Sequence, residues 1–458
     1  MRVKDNLLLQ QIFSIPLDKE KYLIYAPLKE TAFICNRALL NSIFDRCSRP
    51  LLSISEDKVV KTDTFFLLHK LGFFQPEPFP KDQYLHQGIQ YDAVILFLTN
   101  QCNLRCSYCY ASAGEYKAAQ MPWEIAKAGI DWVMSEVIQN RLPTITLGFH
   151  GGGEPTLNWD ILTRATDYAQ SLAEEGKIPL QVTGSFNGYW SKKVLHYVLR
   201  NFTELSLSFD GMPAVQNLQR PTADNKGSFR RVRETLLALD EAKFPYGIRM
   251  TVTNDSVDCL AENISFVCDN FRPQKIQVEP VFVEGRARRN RSAIINLDIF
   301  ISQFIKAFRI AQKHHVILFY SGARLEALTP RFCMAACRAL VITPEGDITT
   351  CFEIYGREHL LSSRFIIGNY LGEGRFTLDK KKLRRHFRHT VERIPHCKAC
   401  FCKWHCAGDC AIKTISGKTG DRFQPTGRCR LNQELTKFLI LDKIMESGGL
   451  IWTKRKEA

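Results

Sequence analysis

The sequence predicts an α/β protein, with a parallel sheet flanked by helices, a small α/β module before it and a cysteine-rich segment after it. Three observations carry this. From about residue 92 the chain alternates short apolar runs with longer amphipathic ones, as successive βα units do. The segment QPEPFPKDQ brings three prolines together and reads as a linker. Sixteen cysteines are unevenly spread, three within 102–109 and nine between 333 and 429.

Taken in order, residues 1–85 show β-like runs at Ile12–Leu17, Tyr22–Leu28 and Thr31–Cys35, then helical patterns at Ala38–Phe44 and Thr64–Phe74. Over 90–322 the expected strands are AVILFLTN, TITLGFH, LQVTGSF, ELSLSF, IRMTVT and KIQVEPVFV. The helices between them are Trp123–Ile138, Asp160–Glu175, Ser191–Asn201, Phe229–Ala242 and Leu260–Asn270. Six such units imply a parallel sheet, open or closed wholly or partly into a barrel, with chemistry at the carboxyl ends of the strands. A helix at Leu297–His314 and the strand VILFYS lead into a third unit at 325–440, where periodicity weakens and cysteine, glycine and basic residues dominate.

At 458 residues the chain is long enough for two or three cores, and its 45% apolar content is ordinary for a soluble globular protein. No uncharged apolar run reaches membrane-spanning length, and MRVKDNLLLQQ lacks a secretory pattern, so a cytoplasmic location is expected. In that compartment sixteen cysteines read as ligands rather than disulfides. The net charge of +15 is concentrated at Arg286–Arg291 and Lys380–Arg388. Neither stretch has interleaved aromatics or a nucleic-acid motif, so both read as solvated basic faces, with an acidic peptide or tRNA as the alternative partner.

Directly after the first core strand stands TNQCNLRCSYCYA, giving Cys102, Cys106 and Cys109. Three thiolates on one loop can hold three irons of a [4Fe-4S] cube and leave the fourth open, whereas a structural zinc site wants four protein ligands. Cys-x3-Cys-x2-Cys at this place in the fold resembles the radical S-adenosylmethionine (radical SAM) superfamily. The resemblance implies a (β/α)6 partial TIM barrel and a [4Fe-4S] cluster bound to S-adenosylmethionine, whose one-electron cleavage gives a 5'-deoxyadenosyl radical. It places Tyr108 on the adenine side. FHGGGEP resembles the family's GGEP element, which assigns Gly152, Gly153 and Glu154 to the methionine amino group. LSFDGMPAVQNLQR resembles the segment that puts Ser208 on the ribose or carboxylate region and Arg220 on the methionine carboxylate. Asn187, in SFNG, stands where the family often has TNG. Asp210 reads equally as a turn residue or a functional one. Arg249 and Glu279 point into the same region if strand alternation holds.

The tail carries Cys333-x3-Cys337, then Gly346 and Cys351, then Cys397-x2-Cys400-x5-Cys406-x3-Cys410, and Cys429. Paired Cys-x2-Cys units also occur in zinc ribbons. The spacing resembles the SPASM domain, except that the gap between Cys337 and Gly346 is short. That resemblance implies two auxiliary [4Fe-4S] clusters, one on Cys333, Cys337, Cys351 and Cys410, the other on Cys397, Cys400, Cys406 and Cys429. If Cys333 is not a ligand, the first keeps an open iron for substrate. Cys402 fits no pattern.

Enzymes with this domain pair mostly modify peptides. The amino-terminal module loosely resembles winged-helix peptide-recognition domains, in which a leader adds a strand to a sheet edge; a structural cap is the alternative. The reading is therefore an oxidoreductase, a maturase that crosslinks a ribosomally made peptide and is served by a one-electron reductant such as flavodoxin or ferredoxin. The catalytic base is unassigned. Rivals are an anaerobic sulfatase-maturating enzyme, disfavoured by Phe352 after Cys351, and a non-catalytic iron-sulfur carrier or zinc-binding protein.

Overall fold

The computed structural model describes residues 11–48, 63–75, 90–289, 295–416 and 422–454. The chain opens with β1 (Phe13–Pro16), β2 (Lys21–Ala26) and β3 (Thr31–Asn36), an antiparallel meander, followed by helices α1 (Arg37–Ser48) and α2 (Asp63–Lys70). The second helix is shorter than its sequence pattern, turning after Lys70 at Leu71–Gln75. Ile24, Phe33, Leu40, Leu68 and Phe73 close a small core. Past Gln75 the proline-rich segment lies outside the described residues.

Six parallel strands follow in the expected places: β4 (Ala93–Phe97), β5 (Ile145–His150), β6 (Leu180–Phe186), β7 (Glu204–Ser208), β8 (Tyr246–Val252) and β9 (Lys275–Pro280). Between them run α3 (Trp123–Gln139), α4 (Trp159–Gly176), α5 (Lys192–Asn201), α6 (Pro213–Gln219), α7 (Phe229–Glu241) and α8 (Leu260–Asn270). The short α6 went unread because its seven residues give too few turns for a periodic signal. β4 is buried at every position, as a strand covered on both faces requires. Helix α9 (Leu297–Lys313), capped by Asn296, leads to β10 (Ile317–Phe319), which pairs parallel with β9. The sheet stays open, as a partial barrel does.

The tail is more regular than its sequence suggests. β11 (Ala339–Ile342) pairs parallel with β4, and β12 (Asp347–Thr349), β13 (Ile366–Gly372) and β14 (Arg375–Leu378) continue the same sheet antiparallel, giving eleven strands. These strands are short and interrupted by cysteine loops, so no alternation was long enough to read. Short helices α10 (Ser362–Phe365), α11 (Lys380–Phe387), α12 (Lys403–Cys406) and α13 (Ala411–Thr414) lie between cysteine segments, with a two-strand ribbon, β15 (Ile415–Ser416) and β16 (Arg422–Phe423). The long α14 (Gly427–Glu446), capped by Thr426, carries Cys429 in its first turn.

The last strand, β17 (Ile451–Thr453), returns to the start of the chain and pairs antiparallel with β3, Trp452 opposite Ala32. The amino-terminal sheet is thus ordered β1-β2-β3-β17, leaving β1 and β17 at its edges. Leu23 and Tyr25 pack against Leu325, Ile440, Ile444 and Trp452. The Tyr25 hydroxyl meets His405 Nε2, and Trp404 Nε1 donates to Gln11 Oε1 at 3.2 Å, so this module is packed directly on the cysteine-rich tail. Among the described residues no helix is long and apolar enough to cross a membrane.

Candidate active site

The loop after β4 places Cys102, Cys106 and Cys109 at the carboxyl end of the sheet. The chain is held there by backbone bonds from Arg105 and Ser107 to the carbonyls of Pro221 and Gln219. The three thiols line one cavity together with Tyr108, Gly152, Gly153, Glu154, Asn187, Ser208 and Arg220. Residues from the ends of β4, β5, β6 and β7 therefore converge, as a parallel sheet arranges.

Glu154 is 2% exposed. Its carboxylate accepts from the Asn187 amide at 2.8 Å, the Thr156 hydroxyl at 2.8 Å and the Trp190 indole at 3.3 Å. All three donors are neutral. Burial raises its pKa, and these hydrogen bonds work in the opposite direction. Gly153 allows the turn to approach the cysteine loop, since a Cβ there would stand 2.2 Å from the Gln101 carbonyl oxygen. A Cβ on Gly152 would meet the Tyr355 side chain at 2.8 Å, so this glycine also admits the tail to the cavity wall.

Asn187 Nδ2 lies 3.7 Å from Cys102 Sγ and donates to Asn103 Oδ1 at 2.6 Å. Arg220 Nε donates to Asp210 Oδ2 at 2.9 Å, its Nη1 faces Cys106 Sγ at 3.8 Å, and its guanidinium lies 5.1 Å from the Tyr108 ring centre. Asp210 is a buried hub, accepting also from Tyr108 Oη at 2.6 Å, Gln219 Nε2 at 2.8 Å and the Thr251 amide at 3.1 Å. Burial pushes the Cys106 thiol up to about 11 against the pull of Arg220. Bound metal is what would hold such a group as thiolate.

A second cavity adjoins the first and is lined by Cys333, Cys351 and Cys410. Cys337 is buried beside it, its Sγ 3.8 Å from the Cys333 carbonyl, and does not line it. Six residues belong to both cavities: Tyr110, His150, Arg249, Glu279, Glu353 and Lys413. Glu353 pairs with Lys413 at 3.3 Å. Burial, then Arg249, holds His150 down at about 3, and its buried Nδ1 has no hydrogen-bond partner among the described residues. Arg428 binds Asp409 at 2.8 Å and stands 3.7 Å from Glu279. The sequence reading had not singled out His150 or Lys413; His150 stands just ahead of the glycine-glutamate turn with no role assigned to it, Lys413 sits in no motif, and only the fold brings them to the junction.

Cys397, Cys400, Cys402, Cys406 and Cys429 of the tail form a third group. Burial, then the neighbouring Cys406, Cys400 and Cys429, pushes Cys397 up to about 12. Cys402, which fitted no pattern, lies with its Sγ 3.3 Å from that of Cys400 and is 1% exposed. Among the described residues no three His, Cys, Asp or Glu side chains close on one point as the ligands of a single ion do.

Residues 96–267 match the model of the radical SAM superfamily. They form a radical SAM domain. An uncharacterized protein of Methanocaldococcus jannaschii is 27% identical over 174 residues, 38% of this chain and 57% of that one. Radical SAM cyclopropyl synthase TigE of Paramaledivibacter caminithermalis is 22% identical over 78% of this chain and 75% of its own length. For the sporulation killing factor maturation protein SkfB of Bacillus subtilis the values are 25%, 59% and 63%. Among solved structures, native anSMEcpe with bound AdoMet superposes at TM-score 0.62 with 16% identity, covering 78% of this chain and all of that one. Streptococcus suis SuiB bound to S-adenosylmethionine gives 0.51 and 15% over 91% of this chain and 98% of that one. These superpositions agree in fold with the open parallel sheet.

Proposed function

We propose that this chain is a radical SAM/SPASM enzyme that oxidatively modifies a peptide, installing a crosslink in a ribosomally synthesised precursor. The observation that carries the reading is the pair of adjoining thiol-lined cavities with six shared wall residues. Relatives named as a maturation protein and a cyclopropyl synthase support it. The domain reading that goes with it is 1–85 for peptide recognition or capping, 90–322 for the partial barrel and 325–440 for the auxiliary clusters.

The residues fit the cofactor. Cys102, Cys106 and Cys109 would hold the [4Fe-4S] cluster. Glu154, a buried carboxylate with only neutral donors, suits an ammonium group beside Cys102. Arg220, its Nε side committed to Asp210, presents Nη1 toward Cys106, the end assigned to the methionine carboxylate. Ser208 and Asn187 complete the wall, and Tyr108 stiffens it through Asp210. When bound, the cluster and S-adenosylmethionine supply one-electron cleavage to a 5'-deoxyadenosyl radical. The protein orients the reactants and shields them from water. Cys333, Cys351 and Cys410, with Cys337 close by, and the group Cys397, Cys400, Cys406 and Cys429 are the proposed auxiliary ligands, giving a substrate electron somewhere to go. A one-electron reductant such as flavodoxin or ferredoxin completes the cycle.

Glu353 supports a second reading, the sulfatase-maturating one, because an acidic side chain two residues after Cys351 does face both cavities. Anaerobic reconstitution with iron, sulfide, dithionite and S-adenosylmethionine decides the main claim. Release of 5'-deoxyadenosine, lost when Cys102, Cys106 and Cys109 are replaced by alanine, is expected; no release from the wild type would refute it. Mass measurement of a co-expressed precursor separates the readings, since a crosslink removes only two hydrogens, whereas formylglycine formation from cysteine removes two hydrogens and also replaces the sulfur by oxygen.

A further inference from the structure

The basic stretch at Lys380–Arg388 was expected to be a solvated face, and the fold gives it a position that this reading leaves unused. Helix α11 has two unlike sides. On its inner side His386 and Phe387 are buried, and His386 and His389 line the cavity of Cys333, Cys351 and Cys410. His386 Nδ1 lies 3.3 Å from Thr350 Oγ1, one residue before Cys351, and its ring meets Phe365 edge-on at 6.5 Å. Arg331, another residue of that cavity, donates to the carbonyls of His386 and His389 at 3.4 Å and to that of Phe387, fixing the end of the helix. Asp379 caps the start, accepting from the Lys381 and Lys382 amides at 2.9 Å.

On the outer side Lys380, Lys381, Arg384, Arg385 and Arg388 are all exposed. Spacings of four place 380, 384 and 388 in one row and 381 and 385 in the next, a continuous cationic stripe. Among the described residues Lys380, Lys381, Arg384 and Arg388 form no ion pair. One helix thickness, about 10 Å, therefore separates a strongly cationic surface from the thiol cavity behind it.

We propose that the outer face of α11 is the docking surface for an acidic one-electron carrier of the flavodoxin class, which exchanges electrons with the thiol-held centre behind the helix. This rests on the reading of Cys333, Cys351 and Cys410 as cluster ligands. A carrier whose redox group opens onto an acidic surface is steered by such a stripe and held with that group toward the cavity. In the exchange a flavin hydroquinone loses one electron and one proton, becoming the semiquinone; the electron enters the protein and the proton goes to solvent.

The test uses the reconstituted full-length protein and oxidised flavodoxin, with binding read by calorimetry at 50 and 300 mM salt. The triple variant K381E/R384E/R388E is expected to weaken binding at least tenfold, and the salt increase to weaken the wild type similarly. Amide exchange should show protection over 380–388 when flavodoxin is added, a readout that needs no variant. In turnover, 5'-deoxyadenosine formation driven by flavodoxin should fall in the variant while that driven by dithionite stays unchanged. Loss of the dithionite-driven reaction in the wild type would overturn the enzymatic reading but leave the binding result standing. Unchanged flavodoxin affinity in a folded variant, protection elsewhere on the protein, or equal binding of polyglutamate, a leader-like acidic peptide or a short RNA would overturn the docking proposal.

Discussion

Asp210 gathers the Tyr108 hydroxyl, the Gln219 amide, the Arg220 guanidinium and the Thr251 backbone, with its side chain fully shielded from solvent. Removing one member of a buried ion pair leaves the other uncompensated, at a cost of about 3–5 kcal/mol. Asp210→Asn should therefore lower the melting temperature and weaken S-adenosylmethionine binding together. A variant that binds normally would show that Arg220 does not depend on this hub. Gly153→Ala tests a different force, because the added Cβ falls 2.2 Å from the Gln101 carbonyl. Overpacking of about 1–3 kcal/mol is expected, read as reduced thermal stability and reduced iron retention by the first cysteine loop. Unchanged iron content would mean that the loop relaxes freely. Cysteine spacing was legible at this scale because ligand chemistry needs fixed residue types at short intervals. The hub was only half legible, since a lone aspartate before glycine is as often a turn residue.

At the scale of elements, the six βα strands were legible because short apolar or alternating runs recur between longer amphipathic ones, β4 being apolar and buried throughout and β6 and β7 alternating. The tail strands were not, since each is short and the one that joins them to the barrel, β11, pairs with β4 more than two hundred residues earlier. β17 shows the same limit: IWT is too short to read as a strand, yet it completes the amino-terminal sheet on β3. Deleting residues 448–458 should open the β3 edge and speed amide exchange across Thr31–Asn36, while leaving exchange in β5 and β6 as it is. Equal protection in the truncated chain would show that β17 adds nothing to that sheet. The sequence expectation that a leader adds a strand to this module now concerns the β1 and β17 edges, because β3 is paired on both sides.

For the whole molecule, Arg428 ties the tail to the barrel through Asp409 and Glu279. Burial pushes both carboxyl pKa values up, and Arg428 with the local hydrogen bonds, joined at Glu279 by Lys413, more than reverses this, so both end below their ordinary values. A folded pKa below the unfolded one contributes stability at pH above about 4, which is lost as pH falls through the folded value. Arg428→Gln should reduce that margin and shift the acid unfolding midpoint upward, measured by melting temperature between pH 3 and 8. An unmoved midpoint would remove Arg428 from this role.

The order of strands, the first cysteine loop and the glycine-glutamate turn were determined by the sequence itself, because local periodicity and ligand spacing are short-range properties of the chain. Only the tertiary structure decided that two cavities share Tyr110, His150, Arg249, Glu279, Glu353 and Lys413, and that a basic helix backs one of them. Those relations join residues up to about three hundred positions apart. Their proximity follows from sheet pairing and core packing, which no window of sequence contains.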